Sequence, residues 1–140
     1  MKRYLGLDLG SKTLGVSLSD FTNTIASNYD IIRFKNEDYV SLVNSISDII
    51  KDNDIGYIVL GLPKNMNNTI GTRANISYMF KDLLEKKYNI PVILEDERLT
   101  SRISNDILIK ADMTRKKRKK VVDKMASTII LQSYLDRINK

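Results

Sequence analysis

Residues 4–20 read YLGLDLGSKTLGVSLSD, and the first half of that stretch is apolar except for one carboxylate, Asp8, with glycines at Gly6 and Gly10. Residues 3–9 read as a strand, 10–13 as a turn, and 14–18, with Gly15 and Ser17 between apolar residues, as a second strand, which makes a hairpin. Alternation puts Leu5, Leu7 and Leu9 on one face of the first strand and Tyr4, Gly6 and Asp8 on the other. Asp8 therefore cannot point where the leucines are buried. An unpaired buried carboxylate costs several kcal/mol, and neither neighbour on its face is a cation. Two compensations are open: a bound metal, or an Asp-x-Gly turn at the strand end.

Working outward, residues 24–34 read as a weaker third strand. Residues 36–51 carry Tyr39, Leu42, Val43, Ile46, Ile49 and Ile50 at helical spacing. A short apolar strand at 57–60 runs into Gly61-Leu62-Pro63, followed by an asparagine-rich loop over 64–71. Residues 72–88 place Ile76, Met79, Phe80, Leu83 and Leu84 on one helical face, and 91–94 form another buried strand. Thr100 can cap a helix over about 100–110. The spacing of Val122, Met125, Ala126, Ile129, Ile130 and Tyr134 predicts a helix over 121–138. Antiparallel strands followed by alternating helices and strands imply an α/β fold, a mixed sheet with helices on both faces. Ligands in such folds gather outside the carboxyl ends of the parallel strands. Asp8, the Gly61 loop and Glu95-Asp96-Glu97 all fall at or just beyond strand ends.

The chain has 140 residues, the size of one domain spanning 1–140. It has no apolar run long enough to span a bilayer and no signal-peptide pattern at its start, so a soluble, cytoplasmic protein without a membrane partner is expected. Cysteine and histidine are both absent. That excludes disulfides, thiolate chemistry, ordinary zinc sites and Ser-His-Asp triads. Chemistry must rest on carboxylates, Lys, Arg, Tyr, hydroxyls or a metal held by oxygen, which favours Mg2+ and also suits Mn2+. The net charge is +6, and the run Arg115-Lys116-Lys117-Arg118-Lys119-Lys120 accounts for all of it. Such a block suits a phosphate backbone, though a solvated surface loop reads the same way.

Two further acids come from distant segments. In LEDERLTSR, Glu95, Asp96 and Glu97 follow a buried strand, where their mutual repulsion is relieved by a divalent cation or by water. Alternation puts Glu95 and Glu97 on one face and leaves the choice between them open. Asp123 falls in or near the first turn of the last expected helix, where the helix dipole alone favours an acid. It also shares a stripe with Ala126, Ser127, Ile130 and Tyr134 that borders the apolar face. Acids converging from separate segments can hold two divalent ions about 4 Å apart for phosphodiester hydrolysis.

In order along the chain, GLDLGSKTLGVSLSD, VLGLPKNMNNTIGTRA, DERLTS and KKVVDKMASTIILQSYLD resemble the YqgF (RuvX) family of the RNase H-like superfamily. The resemblance implies a five-stranded mixed sheet whose second strand is antiparallel, flanked by helices. It implies a nuclease acting in maturation of the 5′ end of pre-16S rRNA, related to the RuvC Holliday junction resolvases. By motif, it assigns catalysis and metal binding to Asp8, Glu97 and Asp123, with two Mg2+ (or Mn2+) ions. It further implies contacts to nucleic acid from Lys12, Thr13, Lys64, Asn65, Arg98 and Thr100, beside the basic run 115–120. Asn68 and the stretch 101–104 depart from the family pattern, at positions where glycine and alanine are usual.

Other readings are kept alongside. A resolvase cutting a DNA junction would act as a homodimer, whereas the RNA nuclease could be a monomer. The Asp-x-Gly hairpin also resembles the phosphate loop of sugar kinases and actin-like ATPases, which need two such lobes where this chain supplies one. A nucleic-acid-binding module without catalysis would use the basic run and leave the acids idle.

Overall fold

The computed structural model describes residues 2–35, 37–63, 72–96 and 115–139, with the side chains of 72–73 and 115–124 outside that description. Its strands are β1 (Arg3–Leu9), β2 (Thr13–Ser19), β3 (Ala26–Arg33), β4 (Ile55–Leu62) and β5 (Val92–Asp96). Its helices are α1 (Tyr39–Ser45), α2 (Ser47–Asp52), α3 (Thr72–Tyr88) and α4 (Arg115–Ile138). The five strands form one sheet in the order β3-β2-β1-β4-β5. The β1/β2 and β2/β3 pairs are antiparallel, and the β1/β4 and β4/β5 pairs are parallel. The expected mixed sheet with an antiparallel second strand is the observed one.

Alternation along β1 divides the molecule into two layers. Leu5, Leu7 and Leu9 join Leu14 and Val16 of β2, Ile58 and Leu60 of β4, Leu42 and Ile46 at α1, and Phe80 and Leu84 of α3 in the larger core. On the opposite face, Val59 meets Ile130, Leu131 and Leu135 of α4, with Tyr4 and Tyr134 beside them. Helices thus cover both faces, as periodicity predicts.

The single helix expected over 36–51 is two. Asp38 caps α1 by accepting from the Ser41 N–H, and Ile46 ends α1 and begins α2. The Ser45 hydroxyl donates to the Leu42 carbonyl at 2.6 Å, a local bond that competes with the helical ladder. The bend leaves Ile46 fully buried. Met79 and Met125, placed by spacing on buried stripes, are exposed. The helix expected over 100–110 lies outside the described residues.

A larger correction concerns α4, which begins at Arg115 and so takes in the whole basic run. Asp123 is then more than two turns inside the helix, not in its first turn, and the dipole no longer accounts for it. Lys and Arg are good helix formers, but only the part of a helix that packs on the sheet carries an apolar period. Periodicity therefore reveals α4 only from residue 121 onward.

Candidate metal and nucleic-acid site

Asp8 occupies the carboxyl-terminal part of β1, the central strand, on the face that α4 covers. In the hairpin it stands opposite Gly15 of β2, and Gly15 stands opposite Ile31 of β3. One step along the same face, Thr13 pairs with Arg33. The intervening turn is closed by the Gly10 N–H donating to the Thr13 carbonyl at 2.8 Å, and the Phe34 N–H donates to the Lys12 carbonyl at 3.0 Å. The Asp8 carboxylate takes no part in that turn, so the Asp-x-Gly alternative does not account for it. Asp8 is half-buried, and its carboxylate makes no hydrogen bond or ion pair with the described residues.

Glycines let α4 approach this face. A Cβ at Gly6 would lie 2.8 Å from Leu131 Cβ and 3.1 Å from the Ser127 carbonyl oxygen. The Ser17 hydroxyl donates to that same carbonyl at 2.9 Å, fixing the helix at this level. At Gly15 the missing Cβ leaves a small space, with Ser127 Cβ and Oγ each 3.4 Å and Asp8 Cβ 3.7 Å from the vacant position. Ser127 is 1% exposed, yet its hydroxyl has no hydrogen-bond partner among the described residues.

α4 runs antiparallel to β1. Tyr134 packs against Tyr4 with ring centroids 5.7 Å apart, while Ser127 lies level with Gly6 and Gly15. The amino-terminal part of α4 therefore continues past the end of the sheet where Asp8 sits. Asp123 is one turn before Ser127 on that helix. The basic positions 115–120 follow at about 10–18 Å from Ser127 along the axis. Lys12 is exposed and Thr13 half-buried at the same end.

Glu95 has a different task. It pairs in register with Gly61 of β4, faces α4 and is 4% exposed. Arg137 donates to its Oε1 at 2.6 Å, and Oε2 is buried without a partner among the described residues. Its carboxylate is thus engaged in tying β5 to α4. Glu97, Arg98, Thr100, Lys64 and Asn65 lie outside the described residues, as do the side chains of Asp123 and 115–120. Among the described residues no group of three acids converges. Sequence reasoning missed Arg33, an exposed cation brought beside Thr13 by a β2/β3 register that single-strand patterns do not reveal.

The residues present suit a hard cation: among the described residues the Asp8 carboxylate and the Ser127 hydroxyl have no partner, and the chain has neither histidine nor cysteine to draw a softer ion. No described helix is long and apolar enough to cross a membrane.

Comparison with known proteins bears on the same fold. The chain is 50% identical over 137 residues to the "Putative pre-16S rRNA nuclease" of Bacillus subtilis, covering 98% of this chain and 99% of that one. It is 48% identical over 137 residues to the protein of the same name from Bacillus licheniformis, at the same coverage. Among solved structures, Thermus thermophilus RuvC in complex with a Holliday junction substrate superposes with a TM-score of 0.53 at 8% identity. That match covers 73% of this chain and 69% of RuvC, and it shows an RNase H-like fold. The profile of RuvX, described as Holliday junction resolvase, matches residues 2–137, and the chain belongs to the RuvX family.

Proposed function

We propose that this protein is a divalent-metal-dependent nuclease that matures the 5′ end of pre-16S rRNA. The observation that carries the reading is the unengaged Asp8 carboxylate at the end of the central strand, on the face shared with the helix that bears Asp123. Relatives at about half identity over nearly the whole chain carry the RNA-nuclease name, which favours RNA as substrate. Resolvases and nucleases of this kind are generally divalent-metal dependent.

In this reading Asp8, Glu97 and Asp123 hold two Mg2+ or Mn2+ ions. Glu95 is committed to Arg137, which supports Glu97 as the ligand from the acidic cluster. Ions held there would neutralise charge at the scissile phosphate and ease deprotonation of the attacking water near neutral pH. The chain has no histidine, so no imidazole can take the proton of the attacking water, and the duty assigned to the three acids here is to hold the ions. Lys12, Thr13 and Arg33 lie on the sheet side to meet phosphates, with Lys64, Asn65, Arg98 and Thr100 assigned the same duty by motif. The basic positions 115–120 continue the cationic track along α4, and binding there should weaken as salt rises.

The RuvX description favours a second reading, a resolvase acting on a DNA junction. One experiment separates them. A labelled pre-16S 5′-leader fragment and a four-way DNA junction are each incubated with Mg2+ or Mn2+ and either wild type or Asp8→Asn. RNA cleavage that requires both metal and Asp8 is expected. Cleavage of the junction alone, by a dimer, would replace the RNA reading. Metal-independent, salt-sensitive binding unaffected by Asp8→Asn, with no cleavage, would leave only a binding module.

A further inference from the structure

We propose that Ser127 is a positioning residue for Asp8. Its hydroxyl donates to the Asp8 carboxylate through the space left at Gly15, directly or by way of one water, when the site holds its cation. The inference rests on the metal-dependent reading above and adds a residue to it.

Three observations carry it. Ser127 is almost fully buried, and its Oγ meets no hydrogen-bond acceptor or donor among the described residues. A buried hydroxyl without a partner is unfavourable in the fold, and an alanine would fill the same place without that cost. Second, the hydroxyl and Asp8 border the same spot on the sheet: the position that a Gly15 Cβ would take is 3.4 Å from Ser127 Oγ and 3.7 Å from Asp8 Cβ. The two are therefore no more than about 7 Å apart, a span that a carboxylate rotamer or one water closes. Third, the Ser127 backbone is held in place by the 2.9 Å bond from Ser17, so the hydroxyl sits on a fixed mount.

A carboxylate that bridges cations has a lone pair left over, and a donor aimed at it fixes the carboxylate plane; such outer partners commonly set metal affinity.

Thr128 supplies an internal control. Its Oγ1 is also buried and unpartnered among the described residues, but it is one position further along α4 and does not border the Gly15 space. The test is titration calorimetry of the full chain with Mn2+ in the absence of nucleic acid, paired with thermal melts with and without the ion. The proteins are wild type, Ser127→Ala, Thr128→Ala and Asp8→Asn. Ser127→Ala should melt at or above wild type without metal, bind Mn2+ roughly 10-fold more weakly, and gain less from the ion on melting. Thr128→Ala should bind Mn2+ as wild type does. Equal Mn2+ affinity for Ser127→Ala and wild type, with Asp8→Asn binding none, would overturn this role and leave the metal site standing. A lower melting point for metal-free Ser127→Ala would make the hydroxyl structural and also overturn it. Absence of Mn2+ binding by wild type, or binding indifferent to Asp8→Asn, would remove the metal reading itself.

Discussion

On one side of β1, Leu5, Leu7 and Leu9 disappear into a core shared with α1 and α3; on the other, Tyr4, Gly6 and Asp8 meet α4 across a seam of glycine, serine and a half-buried ion pair. The first side is held by apolar area, which is non-directional and roughly additive. The second is held by close approach and by particular bonds, each from donor to acceptor: Ser17 to Ser127, Arg137 to Glu95, and the Ala26 N–H to Gln132. The difference separates a face stabilised by non-directional burial from one stabilised by directional bonds, and the proposed site lies on the second. Among the described residues, three buried polar atoms are left without a hydrogen-bond partner, Ser127 Oγ, Thr128 Oγ1 and Glu95 Oε2, and all three lie on α4 or on the residue that Arg137 of α4 holds.

The sharpest way to break the comparison is to damage the leucine side alone. Phe80 is fully buried in that core. Phe80→Ala should cost about 3–5 kcal/mol in urea denaturation, the largest effect expected here. Mn2+ affinity of the protein that remains folded should stay at the wild-type value, since Phe80 belongs to the core on the opposite face of the sheet from the seam. A parallel loss of affinity would show that the two sides are not separable.

Next comes Gly6→Ala, on the seam. Its Cβ would meet Ser17 Oγ at 2.2 Å as well as Leu131 and the Ser127 carbonyl, so α4 itself must shift. Overpacking of this kind costs about 1–3 kcal/mol, less than Phe80→Ala. Yet metal affinity and cleavage should fall more steeply than for Phe80→Ala, because the displaced helix carries Asp123. Denaturation and calorimetry on the same two variants give the crossed ordering, or refute it.

Arg137→Ala is expected to be milder. It strips Glu95 of its partner, but the Arg137 side chain is 52% exposed, so water can replace part of what is lost. A cost of about 1–2 kcal/mol in urea denaturation should follow. Replacing both residues with leucine should recover much of it, since an apolar pair often matches a buried ion pair in stability. If the double variant is no more stable than the single one, the pair is worth more than its burial suggests.

Much of this division is legible in the amino-acid sequence. Strict alternation over residues 4–9 separates the leucines from Asp8, and the hairpin, the parallel strands and α3 follow from period and punctuation. Three things are not legible there. The start of α4 is hidden because residues 115–120 are all Lys or Arg and carry no apolar period. The break at Ile46 depends on a serine back-bond within one turn, which spacing does not encode. The roles of Glu95 and Arg33 depend on partners 42 and 20 positions away, Arg137 and Thr13, and a single strand says nothing of its neighbours. For the site, residue type and strand position point to Asp8, whereas the choice of Glu97 over Glu95 requires family resemblance.

The smallest expected change in stability is the most telling. Gly15 has no positive φ to protect, and a Cβ there would find Ser127 at 3.4 Å and Asp8 at 3.7 Å, ordinary contact distances. Gly15→Ala should therefore leave stability unchanged or raise it by up to about 1 kcal/mol, by narrowing the unfolded ensemble. The added methyl would nonetheless stand in contact with both the Ser127 hydroxyl and the Asp8 Cβ. If that position carries a hydrogen bond in the loaded site, Gly15→Ala must weaken Mn2+ binding while the melting curve holds or improves, and Ser127→Ala added to it should weaken binding little further. Gly6 and Gly15 would then differ in kind: one admits the helix, the other keeps open a path between two side chains. Full Mn2+ affinity in Gly15→Ala would mean that both glycines serve packing alone.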